Sequence, residues 1–186
     1  MLAPAAFACG TAMMMPLLFK AYPEARTVFD ATLDARKNKI IVGANWPGID
    51  VMSLHQWRTR KMAMTLMALK RKLDRVPEAG RTRSSAHILF VNEMAWSEIA
   101  IGISGVAITQ GGFPSDARAY VFTTRRAMDT LLTGKISYDD AVRLKLVQFK
   151  LKEGGNSGAL DLFKQALSGE ARSVKHTMHM PIAPVD

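Results

Sequence analysis

The sequence predicts an α+β fold: a sheet of about five strands, antiparallel or mixed, covered by helices on one face and preceded by a helical N-terminal extension. Three observations predict it. Short β-prone runs punctuated by glycine fill residues 84–123, amphipathic helical periods flank that block, and one further alternating run, at residues 144–152, needs the same sheet for partners. With 186 residues, 48% of them apolar, the chain can bury one substantial core and carry extensions beyond it.

The N-terminal stretch from Met1 to Phe19 has no charged side chain, yet Pro4, Gly10 and Pro16 interrupt it. A membrane span takes roughly 20 apolar residues in unbroken helix, and a secretory signal starts with basic residues; the stretch fits neither pattern. It is expected to be buried by a partner or a membrane surface. Pro23 to Lys39 sets Val28, Phe29, Ala31, Leu33 and Ala35 between charges and predicts an amphipathic helix. The turn-rich residues from Gly43 to Asp50, with Trp46-Pro47-Gly48, are expected to separate an arm, residues 1–50, from the rest of the chain.

Residues 51–80 hold the longest helical pattern. Met62, Leu66, Leu69, Leu73 and Val76 repeat on one face, Arg58, Lys61, Thr65, Ala68, Lys72 and Arg75 on the other, and Pro77 ends the run. Arg58, Lys61, Lys72 and Arg75 are candidate contacts for anionic headgroups or other phosphates, with an ordinary solvated face as the alternative. Arg81 and Arg83 extend the positive charge into the next loop.

Strand patterns occupy Ala86 to Val91, Trp96 to Ile103, Val106 to Thr109 and Arg118 to Thr123, and tight glycine turns between them predict an antiparallel meander. Beyond it, Ala127, Met128, Leu131 and Leu132 have helical spacing that Thr133-Gly134 terminates. Ser137 is the expected N-cap of a short helix with Asp139 and Asp140 in its first turn. The fifth strand is centred on Phe149 and reaches back to the meander. After Gly154-Gly155-Asn156-Ser157-Gly158 turns the chain, Ala159, Leu160, Phe163, Ala166 and Leu167 begin a last amphipathic helix.

This C-terminal half resembles the sterol carrier protein type 2 family. In that family a helix ending in a Leu-x-x-Gly-Lys-type turn precedes a helix carrying an alanine, a basic-apolar strand, a Gly-Asn or Gly-Asp turn and a final apolar helix. The matching residues are Leu131, Gly134, Lys135, Ala141, Phe149-Lys150-Leu151, Gly155-Asn156 and Ala159. Lys145 stands where the family often has a glycine before the strand. The resemblance covers roughly Ser84 to Ser168, so residues 81–170 are expected to form a sterol-carrier-like domain and residues 171–186 a tail. It implies an apolar tunnel for a bound lipid, lined by Ile101, Ile103, Ile108, Phe122, Leu131, Phe149, Leu151, Phe163 and Leu167. The same side chains could equally close into a solid core.

Catalytic patterns are scarce. His176 and His179 stand in a proline-bearing tail with no cysteine or carboxylate ligand near, Cys9 reads as a small buried hydrophobe, and the glycine-rich turn lacks the lysine and spacing of a P-loop. No enzyme, metal or cofactor is expected beyond a possible bound lipid. Twenty-five Lys and Arg against 16 Asp and Glu give +9, which favours a negatively charged partner. The expected role is a non-catalytic accessory subunit with a lipid-binding-type domain, in partnership with other protein subunits and membrane lipid. The expected setting is a mitochondrial inner-membrane energy-conversion complex such as ATP synthase or the respiratory chain. The alternatives are a free-standing lipid or sterol carrier and, less favoured for want of aromatic residues among the basic ones, a mitochondrial ribosomal or other RNA-contacting subunit.

Overall fold

The computed structural model describes residues 14–41, 51–77, 81–111 and 117–169, with the backbone alone at 51–56. Its five strands are β1 (Ser84–Phe90), β2 (Ala95–Gly102), β3 (Gly105–Gln110), β4 (Ala119–Thr123) and β5 (Val147–Leu151), joined in the order β3-β2-β1-β4-β5. The first three form the expected antiparallel meander, with Ile99 opposite both Ala86 and Ile108. β4 departs from it, running parallel to β1 with Val121 beside Ile88, and β5 returns antiparallel with Phe149 beside Val121. Burial explains the departure. All five residues of β4 are buried and need a place inside the sheet, whereas Ala107, Thr109 and Gln110 of β3 are exposed and suit an edge.

Among the described residues six α-helices accompany the sheet: α1 (residues 14–21), α2 (Pro23–Lys37), α3 (Val51–Leu73), α4 (Arg125–Leu132), α5 (Tyr138–Arg143) and α6 (Gly158–Ser168). One sheet face, carrying Ala86, Ile88, Phe90, Ile99, Ile101 and Val121, packs on Met62, Leu66, Leu69 and Leu73 of α3, Met128 and Leu131 of α4, and Leu162, Phe163 and Leu167 of α6. The apolar stripe expected on α3 is therefore the one it buries.

The opposite face is also covered. Leu89, Trp96, Tyr120 and Phe122 point the other way along their strands and meet Leu18 of α1, Tyr22, and Ala25 and Val28 of α2. The ring of Tyr22 stands 5.6 Å from those of Trp96, Tyr120 and Phe122, and burial together with the neighbouring Tyr120 pushes its phenol up to about 12. The sheet thus has helices on both faces, and residues 14–41 are a layer of the domain rather than an arm. An aromatic set on the second face would otherwise meet water, which is why the layer is required. Residues 1–13, 42–50 and the tail from 170 lie outside the described residues, and with them most of the charge-free N-terminus, the expected linker, Cys9, His176 and His179.

Local chemistry sets the remaining ends. Thr124 caps α4 by accepting from the Ala127 amide, and Ser137 caps α5 by accepting from the Asp140 amide, as its sequence position predicts. Both helices end in the same way. Lys135 N–H donates to Thr130 O and Gly134 N–H to Leu131 O, and one helix later Leu146 N–H donates to Ala141 O and Lys145 N–H to Val142 O. These are paired six-to-one and five-to-two bonds around a left-handed residue, Gly134 at φ +71° and Lys145 at φ +59°. Lys145 thus holds without glycine a conformation that glycine adopts more readily.

Candidate functional site

The nine residues expected to line a tunnel divide into four groups. Ile101, Leu131, Phe163 and Leu167 are buried together between the sheet and α3, α4 and α6, and Ile108 and Phe149 pack half-buried at the margin of that core. Phe122 is fully buried on the other face, because it alternates with Val121 along β4. Ile103 is 67% exposed at the β2–β3 turn and Leu151 45% exposed at the end of β5. The expectation of one lining set is therefore corrected: two faces and two ends are involved, and the shared part is side chains packed against Leu66, Leu69 and Leu73 of α3. An apolar ligand would have to part that layer.

The four cations expected on α3 also redistribute. Thr65, in the middle of the expected basic face, is 2% exposed and donates its hydroxyl to Asp129 Oδ1 at 2.6 Å. Lys61 and Lys72 are half-buried on that flank, Lys61 lying 5.9 Å from the ring centre of Trp57, while Arg58 and Arg75 are exposed. The outward stripe is Arg60, Met64, Met67, Arg71 and Arg75, at spacings of four, three, four and four. Met64 and Met67 are 51% and 52% exposed at its centre. The expected face, through Arg58, Lys61, Thr65, Ala68, Lys72 and Arg75, thus lies to one side of a stripe in which methionine and arginine share the exposed side.

Beneath α3 lies a charge cluster that no pattern along the chain foretold as a whole. Arg125, its side chain only 10% exposed, pairs with Asp129 Oδ2 at 2.7 Å and Glu93 Oε1 at 3.5 Å, and its guanidinium lies 5.8 Å from the Trp57 ring. Burial pushes the Glu93 carboxyl above its usual range against the pull of Arg125. Burial, with the guanidiniums of Arg36 and Arg125, holds Arg126 below its ordinary value. The i, i+4 spacing of Arg125 and Asp129 was the available signal; Thr65 and Glu93 join them only through the tertiary fold.

Two open clefts border these surfaces. One of about 480 Å³ lies between α2, through Asp30 and Asp34, and the end of α5, through Arg143 and Lys145. The other, about 980 Å³, lies between the last turn of α3 and the β2–β3 hairpin, and holds Arg81 and Arg83, which the sequence marks as an extension of the basic charge. Among the described residues no three potential metal-ligating side chains converge, and no helix is long and apolar enough to cross a membrane.

The chain matches no protein-family model, and no curated protein matches it. Solved structures to which it is similar include sterol carrier protein 2, at 14% identity and TM-score 0.40, covering 58% of this chain and 91% of that one. The palmitated sterol carrier protein 2 like 2 of Aedes aegypti is similar at 13% identity and TM-score 0.41, covering 55% and 90%. A stereoselective inverting sec-alkylsulfatase from Pseudomonas matches at 13% identity and TM-score 0.37, over 50% of this chain but only 13% of its own length. The sheet and its helices have the α+β arrangement that the sequence predicts, a five-stranded mixed sheet with helices, with a second helical layer added.

Proposed function

We propose that the protein is a non-catalytic, lipid-handling domain of the sterol-carrier-like type that works against an anionic membrane surface, with α3 as the element laid on it. The observation that carries this reading is the outward stripe of α3: two half-exposed methionines framed by Arg60, Arg71 and Arg75. A helix on a membrane surface buries such apolar side chains at the acyl boundary and leaves its cations among the headgroups, each contributing about 1 kcal/mol near anionic lipid. The net charge of +9 acts in the same direction. Nucleic acid fits less well, because exposed methionine adds nothing to a phosphate rail.

The finer reading is an accessory subunit held with other protein subunits in a mitochondrial inner-membrane complex. It draws support from the same charge and stripe, and a free-standing lipid carrier fits them equally. Flotation of the full chain with phosphatidylcholine vesicles, with and without phosphatidylglycerol, tests the common part. Binding is expected only to the anionic vesicles and is expected to fall at least about tenfold for Met64→Ser with Met67→Ser, or for Arg60→Glu with Arg71→Glu. Unchanged binding by both double variants would remove the reading. Native purification then separates the finer alternatives: co-purifying membrane subunits mark an accessory subunit, a lone chain with a lipid a carrier.

A further inference from the structure

At the end of the sheet where β1 begins and the β2–β3 hairpin turns, the larger cleft opens between the hairpin and the last turn of α3. Among the described residues, Lys70, Arg81 and Arg83 border it, with one carboxylate, Asp74. That carboxylate is already engaged, accepting from Lys70 Nζ and, at 3.0 Å, from the Val106 amide. Three cations against one carboxylate leave two positive charges over. Arg81 donates Nε to Val76 O at 3.0 Å and Nη2 to Asp74 O at 2.6 Å, which fixes the guanidinium and leaves Nη1 without a hydrogen bond among the described residues. Arg83 is exposed and enters no hydrogen bond or ion pair among the described residues.

The C-terminal dipole of α3 accounts for Lys70 and Arg81, which serve its last turn, but reaches neither Arg83 nor the hairpin. Ser85 and Ser104 add hydroxyls to the cleft, and Ile101 and Val106 give it an apolar floor. Between its members Gly102 and Ser104 stands Ile103, 67% exposed, at the hairpin tip. A cationic, hydroxyl-bearing rim beside a protruding apolar side chain matches a phosphate attached to acyl chains, where the head is charged and the neighbouring phase is hydrocarbon.

We propose that this cleft binds the phosphate group of an anionic phospholipid presented by a bilayer, with Ile103 entering the acyl boundary beside it. The proposal rests on the membrane-surface reading of α3 and adds to it a specific headgroup site at the helix's C-terminal end, where Arg71 and Arg75 lie beside Lys70 and Asp74 in sequence.

The test measures partitioning of the full chain, Arg83→Glu and Ile103→Ser onto phosphatidylcholine vesicles with and without phosphatidylglycerol, alongside the Ser104 amide resonance during titration with inorganic phosphate. Arg83→Glu is expected to lower partitioning about tenfold, since a cation near the surface contributes about 1 kcal/mol and its reversal adds repulsion. Ile103→Ser is expected to weaken partitioning severalfold while leaving the phosphate-induced shift of Ser104 intact, a shift that Arg83→Glu should abolish. If Ser104 responds to phosphate but both variants partition as wild type, the cleft takes a free anion and the bilayer proposal falls. If Arg83→Glu changes neither readout, the site itself falls. The Met64→Ser, Met67→Ser variant separates the two readings: its loss of binding beside wild-type behaviour of Arg83→Glu keeps the membrane surface and removes the cleft, and a wild-type chain that binds no vesicle removes both.

Discussion

Lys150 Nζ on β5 lies 2.9 Å from Glu24 Oε1 on α2, an ion pair that ties α2 to an edge strand far from it in sequence. Both side chains are mostly buried, at 31% and 25% exposure, and the pair closes one side of the aromatic layer formed by Tyr22, Trp96, Tyr120 and Phe122. By itself such a pair contributes on the order of 1 kcal/mol or less. Its importance is positional: it marks where the layer ends and solvent begins.

Removing residues 1–41 should therefore destabilise the domain rather than free it. The truncated chain is expected to bind a hydrophobic dye and to lose its cooperative thermal transition, because Leu89, Trp96 and Phe122 lose their cover. The single change Val28→Ala, at a side chain with 0% exposure, should cost about 2 kcal/mol in denaturant unfolding. A truncated chain melting at the wild-type temperature would show that the layer contributes nothing.

Asp129 joins α3 to α4 by accepting from Thr65, and within α4 it pairs with Arg125. Asp129→Ala leaves a nearly buried guanidinium with Glu93, at 3.5 Å, as its remaining carboxylate among the described residues, and should cost about 3 kcal/mol. Thr65→Val removes only the hydroxyl bond and should cost about 1 kcal/mol. Equal costs for the two changes would mean that Arg125 does not depend on Asp129.

Lys145 adopts φ +59° at the end of α5, where a side chain is strained and glycine is not. Lys145→Gly should raise stability by about 0.5–1 kcal/mol, the relief of strain exceeding the added freedom of the unfolded chain. Gly134→Ala, at φ +71° in the equivalent position of α4, should lower it by a similar amount. Equilibrium unfolding of the pair decides whether the two turns behave alike.

Acid should weaken the fold in two steps. Burial holds the His87 ring below its ordinary 6.5, outweighing the pull of Glu98, so the unfolded chain takes the proton first and stability begins to fall as pH drops below about that value. Burial alone would raise the Asp74 carboxyl, but hydrogen bonds from Lys70 and Val106 outweigh it and hold the group below its ordinary 3.8. Its contribution is present above that value and is lost as pH falls through the lower folded pKa. His87→Gln should flatten the first step and Asp74→Asn the second; unfolding midpoints followed from neutral pH to acid check both.

Much of this architecture is local in origin and therefore legible along the chain. Ser137 caps its helix because a hydroxyl reaches an amide three residues on, Gly134 ends α4 because a left-handed residue is needed there, and the four-three spacing of Met62, Leu66, Leu69 and Leu73 defines the buried face of α3. The run of short strands and the α+β class arise from the same kind of short-range pattern. Only the tertiary structure decided that β4 enters beside β1, that Phe122 turns away from Val121 towards Tyr22, and that residues 14–41 serve as a second layer. It also decided that Arg81 and Arg83 meet the hairpin around one cleft, while Thr65 leaves the polar side of α3 to bond Asp129. Alternation along a strand states that two faces exist, but not what covers each; that depends on which distant segment buries the most apolar surface there, a contest settled between elements far apart in sequence.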